Sequence, residues 1–144
     1  ARQGVLMDFS SFNIFGIGLA TLAGFITGAL WFSPKTFFPL WWKLMEKPAD
    51  EIPGKGTNMG AIFASLVGSM LIQSIILSGV IYGLYENASV AQGALVGAVL
   101  GVGICAMSAM GHRLFAGQGF LVWALEVGND IAALAIMGAI IAAV

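Results

Sequence analysis

Four long apolar runs, with polar and turn-forming residues confined to the gaps between them, set the reading of this chain: residues 13–32, 59–85, 90–110 and 120–143. Each is close to or above the ~20 helical residues needed to cross the hydrocarbon core of a bilayer. Open sheet is excluded because its edge amides and carbonyls find no partner in lipid, and the runs are too long for barrel strands. The pattern predicts one all-α domain over residues 1–144, a polytopic membrane protein of four transmembrane helices with a short interfacial helix in the first connection.

Local signals mark the ends. Ser33-Pro34 stops the first run, since proline disfavours helix at the residue before it. Thr57-Asn58 supplies caps for the second, and Ser89-x-x-Gln92 is a capping box for the third. Glu86-Asn87-Ala88-Ser89 is a tight turn and His112 to Gly119 a short loop, so spans two, three and four are expected to be antiparallel neighbours. The first connection, 35–57, sets Phe37, Phe38, Trp41 and Trp42 beside Lys43, Glu46 and Lys47. Wound as a helix it is amphipathic and suits the headgroup layer, with Trp31, Trp41, Trp42, Lys43 and Arg113 as interfacial anchors. The same segment could equally dock a partner. Lys47-Pro48 through Gly54-Lys55-Gly56 reads as an exposed loop.

Composition agrees. Only 9% of the residues are charged against 59% hydrophobic, with a mean hydropathy of +0.95, whereas a soluble domain carries about 25% charged residues. The net charge of −1 and the lack of a basic cluster exclude nucleic acid as a partner. Cys105, the lone cysteine, lies inside an apolar run; it excludes an internal disulfide and reads as core. The chain opens Ala1-Arg2-Gln3-Gly4 with no apolar segment ahead of the first run, so no signal peptide is expected within the numbered residues. Lys35, Lys43, Lys47, Lys55 and Arg113 fall in the first and third connections and only Arg2 on the other side. Positive charge therefore puts loops 33–58 and 111–119 in the cytoplasm, stroma or matrix, and both termini in the periplasm or lumen.

Small residues recur at intervals of four: Gly16, Ala20, Gly24 and Gly28 in span one, Gly60, Ala64 and Gly68 in span two, Gly93, Gly97 and Gly101 in span three. Close backbone approach drives helix association in lipid, so these are predicted contact faces, within the chain or toward another subunit. Gln73, Glu126, Asn129 and Asp130 are polar inside the spans. Glu126 and Asp130 share one helix face at i and i+4. An ionised carboxylate at that depth is costly, so it must be protonated, paired, hydrated or turned toward protein. Two readings stay open: a proton or cation relay, or a polar patch fastening the last helix to Ser69, Gln73, Ser74 or Ser108. His112, Gln73, Gln92, Asn129 and Glu126 are the candidate pigment ligands, and chlorophyll, carotenoid or lipid are the candidate bound molecules. One histidine excludes a multi-histidine metal site, so no metal is expected. No lysine lies inside a span for a retinal Schiff base. No nucleophile elbow or zinc helix appears, so neither hydrolase nor lipid-modifying chemistry is expected.

The segment Gly28-Ala29-Leu30-Trp31-Phe32-Ser33-Pro34, followed by Phe37-Phe38 and Trp41-Trp42-Lys43, resembles the signature of a membrane family known as domain of unknown function 1761. That resemblance implies a four-helix fold with one long first connection and a small-residue stretch such as Met137-Gly138-Ala139 in the last helix. It implies no particular chemistry. The leading expectation is a non-enzymatic accessory subunit of a larger membrane complex, with membrane lipids and other membrane subunits as partners and a thylakoid photosystem as one setting. The alternative is a small oligomeric transporter or channel for protons or cations through Glu126 and Asp130.

Overall fold

The computed structural model describes residues 7–10 and 12–144; Arg2, the positive charge on the terminal side, lies outside the described residues. The chain is helical, as the hydrophobic pattern requires, and its four long helices are long and apolar enough to cross a membrane. They are α1 (Ile14–Trp31), α3 (Met59–Leu84), a continuous third span made of α4 (Val90–Leu100), a π-helical segment (Gly101–Ala106) and α5 (Met107–Phe115), and α6 (Gly119–Ala143). The seven-residue α2 (Phe38–Leu44) occupies the first connection where an amphipathic helix was expected.

Caps close the ends as their residue types dictate. The Asn13 side chain accepts from the amides of Phe15 and Gly16, and Asn58 accepts from that of Ala61. Ser89 and Gln92 form the full capping box, each side chain taking the other's backbone N–H. After Trp31, the Thr36 hydroxyl lies within donor reach of the carbonyls of Leu30 (2.5 Å) and Trp31 (2.7 Å), adding to the bonds these accept from the amides of Ser33 and Phe37.

The last helix is the hub of the bundle: α6 lies between the third span and α1, and α3 packs mainly on α1. Two glycine stripes explain this. A methyl group added at Gly93 would stand 2.2 Å from the Gly138 carbonyl oxygen, and one at Gly97 would stand 2.0 Å from that of Leu134, so α4 and α6 touch backbone to backbone. Gly101 meets Ile131 in the same way. In α1, Gly16 faces Val144, Gly24 faces the sulfurs of Met137 and Met70, and Gly28 faces Asn129, while Ala20 is fully buried. The core that results joins Leu77, Ile81, Val96, Leu134, Met137 and Ile141.

Two expectations are corrected and one that was open is narrowed. Spans two and three, although joined by a tight turn, touch only lightly; the intimate pair is spans three and four, because glycines line both sides of that contact. Of the two readings open for the stripe of Gly60, Ala64 and Gly68, contact within the chain has no counterpart among the described residues: Gly68 has no neighbour within contact range and Gly60 only its own cap. Helix also runs beyond residue 110 to Phe115, so His112 and Arg113 are helical rather than in the loop.

Candidate functional site

Arg113 organises the polar interior. Its Nη2 donates to Glu126 Oε2 at 2.6 Å, its Nε lies 2.6 Å from Glu126 Oε1, and its Nη1 donates to Gln118 Oε1 at 2.6 Å. Glu126 is thus held by one hydrogen bond, to Oε2, and by the charge of the same guanidinium standing beside Oε1, which closes no hydrogen bond among the described residues. The side chains are 34% and 19% exposed, so the pair is sheltered on the protein side and open on the other.

Chain reversal brings the two together. Gly117 (φ +75°) and Gly119 (φ +84°) take the left-handed conformation that glycine alone adopts without strain. The turn between them sets α5 and α6 antiparallel. Helical side chains lean toward their own N-terminus, so Arg113, at the end of α5, leans into the bilayer, and Glu126, near the start of α6, leans out toward it. The π-helical segment supplies the rotation. Over the twelve residues from Gly101 to Arg113 an unbroken α-helix would carry the arginine about 120° away from the glycine line. One wide turn delays the rotation by roughly one residue, about 100°, and returns Arg113 to the α6 face. At the end of that segment the Trp123 indole donates to the Ala106 carbonyl at 2.8 Å.

The expected anchors mostly point inward. Arg113 was expected at lipid phosphates; it turns to Glu126 instead, because a carboxylate two turns inside a helix needs a counter-charge more than a surface arginine needs a phosphate. Trp31 donates its indole N–H to the Leu125 carbonyl at 2.8 Å, and its ring lies where a side chain on Gly128 would be. Trp42 is buried and donates to the Pro48 carbonyl at 2.8 Å. Of the expected anchors, Lys43 is the one left exposed.

Next to the ion pair lies an open cleft of about 230 Å³ lined by Phe32, Trp41, Glu126, Asn129 and Asp130. Phe32 and Trp41 stand with ring centroids 5.2 Å apart and planes tilted by 59°. The Trp41 indole N–H is buried beside Glu126 without closing a hydrogen bond. Asn129 is only 8% exposed, and its Oδ1 has no hydrogen-bond partner among the described residues. No hydrogen bond or ion pair reaches the Asp130 carboxylate among the described residues; its charged neighbour is Glu126, and Cys105 from the π-helical segment lies near it.

The remaining candidates are dispersed. Gln73 donates to Ser69 Oγ at 2.9 Å on the outer side of α3, and Ser74 lies between Met70 and Thr21, so neither serine nor glutamine fastens the acidic pair. Gln92 is engaged in the capping box, Glu126 in the ion pair, and His112 is exposed at the end of α5. No group of three His, Cys, Asp or Glu that could hold a metal ion occurs among the described residues. Sequence reading missed the Arg113–Glu126 pair, although the short Gly-x-Gly loop and the opposed lean of the two side chains carried its signal; the contribution of Phe32 and Trp41 to the cleft had no such signal.

No curated protein and no solved structure matches the chain. A family profile described as "Protein of unknown function (DUF1761)" matches residues 15–142, from the second residue of α1 to the penultimate residue of α6. With the Trp31 of the Trp-Phe-Ser-Pro signature fastening α1 to α6, and with nearly the whole bundle inside the match, the chain belongs to the DUF1761 family.

Proposed function

We propose that this protein is a non-enzymatic accessory subunit of a membrane assembly, and that α3 is the helix through which it joins its partners. The observation that carries this reading is the exposed face of α3. That helix is the least buried of the four spans, yet it presents Ser65, Ser69 and Gln73 at intervals of four in mid-span and, on a separate face, the stripe of Gly60, Ala64 and Gly68. Polar side chains and small residues gain nothing from lipid; both favour contact with another helix. Gln73 stands about 21 Å from the start of α3, counted at about 1.5 Å per residue, near the middle of the bilayer. Loops bearing Lys35, Lys43, Lys47 and Lys55 face the cytoplasm or stroma in this reading, and both termini the opposite side. In a pigment-bearing setting such as a thylakoid, His112, exposed at the end of α5, is the candidate most open to a chlorophyll.

Extraction from native membranes in mild detergent, followed by native mass spectrometry, tests it. The chain should run with a partner subunit or a second copy, and Ser69→Leu/Gln73→Leu should release it without unfolding it. A wild-type chain that runs alone would count against the reading.

A second reading, a small oligomeric transporter for protons or cations, draws on the Asp130 carboxylate lying free in the cleft. Glu126 serves there as a fixed charge paired to Arg113 rather than as a carrier. Asp130→Asn should then abolish proteoliposome flux, and an unchanged rate would remove the idea.

A further inference from the structure

We infer that the pocket between α2 and the turn that follows it binds one anionic phospholipid, its phosphate facing Lys43 and Lys47 and the upper part of an acyl chain lying on Phe38, Pro39 and Trp42. The sequence builds this pocket. Pro39 sits in the first turn of α2, where its missing N–H costs nothing, and the spacing of four sets Phe38 with Trp42 and Pro39 with Lys43 in adjacent rows. The Phe38 and Trp42 rings stack with centroids 5.3 Å apart and planes 23° apart, and the buried Trp42 donates its indole N–H to the Pro48 carbonyl at 2.8 Å. Pro48 disfavours helix at Lys47, and Glu46 turns the chain in the left-handed conformation at φ +59°. The Lys47 amide then donates back to the Trp42 carbonyl at 3.3 Å, which returns the second lysine to the helix that carries the first. The result is a pocket of about 480 Å³ walled by two prolines, two aromatic rings and an alanine, with two lysines as its charged groups.

Charge and depth together select the occupant. Both lysines are exposed, and neither has an ion-pair partner among the described residues. Glu46, Asp50 and Glu51, the acidic residues of the same connection, line no part of the pocket. Two ammonium groups beside an apolar wall call for an anion. Pro34, on the rim, stands just beyond the end of α1 at Trp31, so the pocket lies where a span leaves the hydrocarbon and headgroups begin. A free phosphate would use the lysines and leave the apolar walls to water. A zwitterionic lipid would use the walls but bring its own cation to the lysines. An anionic lipid satisfies both, and basic pockets at this depth are suited to lipid phosphates. The volume holds roughly sixteen water-sized groups, room for a phosphate and the first carbons of one chain, with the rest of the lipid left in the bilayer.

This inference goes beyond the assembly reading, which rests on α3, and the two fail independently. The full chain in a neutral detergent is titrated with phosphatidylglycerol or with phosphatidylcholine of the same acyl chains, and bound lipid is counted by native mass spectrometry. Each interfacial lysine strengthens binding of an anionic headgroup roughly fivefold, so one phosphatidylglycerol should bind about tenfold tighter than phosphatidylcholine, or better. Lys43→Gln/Lys47→Gln should bring the two lipids level. Lys35→Gln/Lys55→Gln removes the same charge from the same connection away from the pocket and should keep the preference. A preference that survives in the first variant, or is lost equally in the second, would overturn the inference, because diffuse charge rather than the pocket would then hold the lipid. Equal binding of the two lipids to the wild-type chain would also overturn it and leave the pocket to an acidic segment of a partner protein. Glycerophosphoglycerol, the same headgroup without chains, should fail to displace the lipid at millimolar concentration; displacement would make this a free-anion site instead. Should Lys43→Gln/Lys47→Gln fail to fold, Phe38→Ala takes its place: it removes one wall and should weaken phosphatidylglycerol binding several-fold, and full binding would overturn the assignment.

Discussion

Replacing Glu126 by Gln keeps the side chain's size and removes its charge, which leaves Arg113 with two donors and no carboxylate. Removing one partner of a fully buried ion pair costs about 3–5 kcal/mol, because the survivor is an uncompensated charge in a poor solvent. Here Arg113 is 34% exposed and Glu126 19%. Roughly a third of that penalty is therefore relieved by solvent or headgroups, and the cost should be about 2–3 kcal/mol. Arg113→Met should cost about as much, since it strands the carboxylate and also frees Gln118. The double variant Arg113→Met/Glu126→Gln strands neither charge and should fall within about 1 kcal/mol of wild type. Reversible unfolding in mixed micelles at rising dodecyl sulfate fraction measures all four proteins in one double-mutant cycle. A coupling energy below about 0.5 kcal/mol, the level of independent sites, would refute the view that this pair settles the buried carboxylate.

The glycine contacts give a sharper contrast. Gly97→Ala puts a methyl group 2.0 Å from the Leu134 carbonyl oxygen and should cost about 2 kcal/mol or more by forcing α4 away from α6, whereas Gly68→Ala, with open space around it, should change the stability of the isolated chain by less than about 0.5 kcal/mol in the same micelle assay. Trp31→Phe loses both the bond to the Leu125 carbonyl and the outer indole ring that covers Gly128. It should cost about 2 kcal/mol, and hydrogen exchange at the α1–α6 contact should rise.

Much of the fold was legible because lipid imposes simple rules. Length and hydropathy locate four spans, Ser33-Pro34 ends the first, Ser89 and Gln92 announce the start of the third, and the Gly93–Gly97–Gly101 interval of four marks a close contact. What spacing cannot supply is the partner of each face. Gly60, Ala64 and Gly68 have the same interval as the glycines of α4, yet they face no other helix among the described residues, since a stripe records close approach to something without saying to what. The π-helical segment also escaped, because one extra residue in a turn leaves no mark in an apolar run such as Gly101–Ala106 and shows itself only through where Arg113 arrives. The site was half legible. Glu126, Asn129 and Asp130 stood out as polar groups at depth, but Trp31, Trp41 and Arg113 read as interfacial anchors because an aromatic or basic residue near a helix end fits the headgroup layer equally well.

The account depends on four crossings that put the first and third connections on one face of the membrane and the remaining loop and the C-terminus on the other. Single cysteines at Lys55, Phe115, Asn87 and Val144, each in a Cys105→Ser background, can be labelled in sealed cells or oriented vesicles with a membrane-impermeant maleimide. The account predicts that positions 55 and 115 react only from the cytoplasmic or stromal side, and positions 87 and 144 only from the opposite side. Labelling of 55 and 115 from opposite sides would contradict the four-span bundle itself.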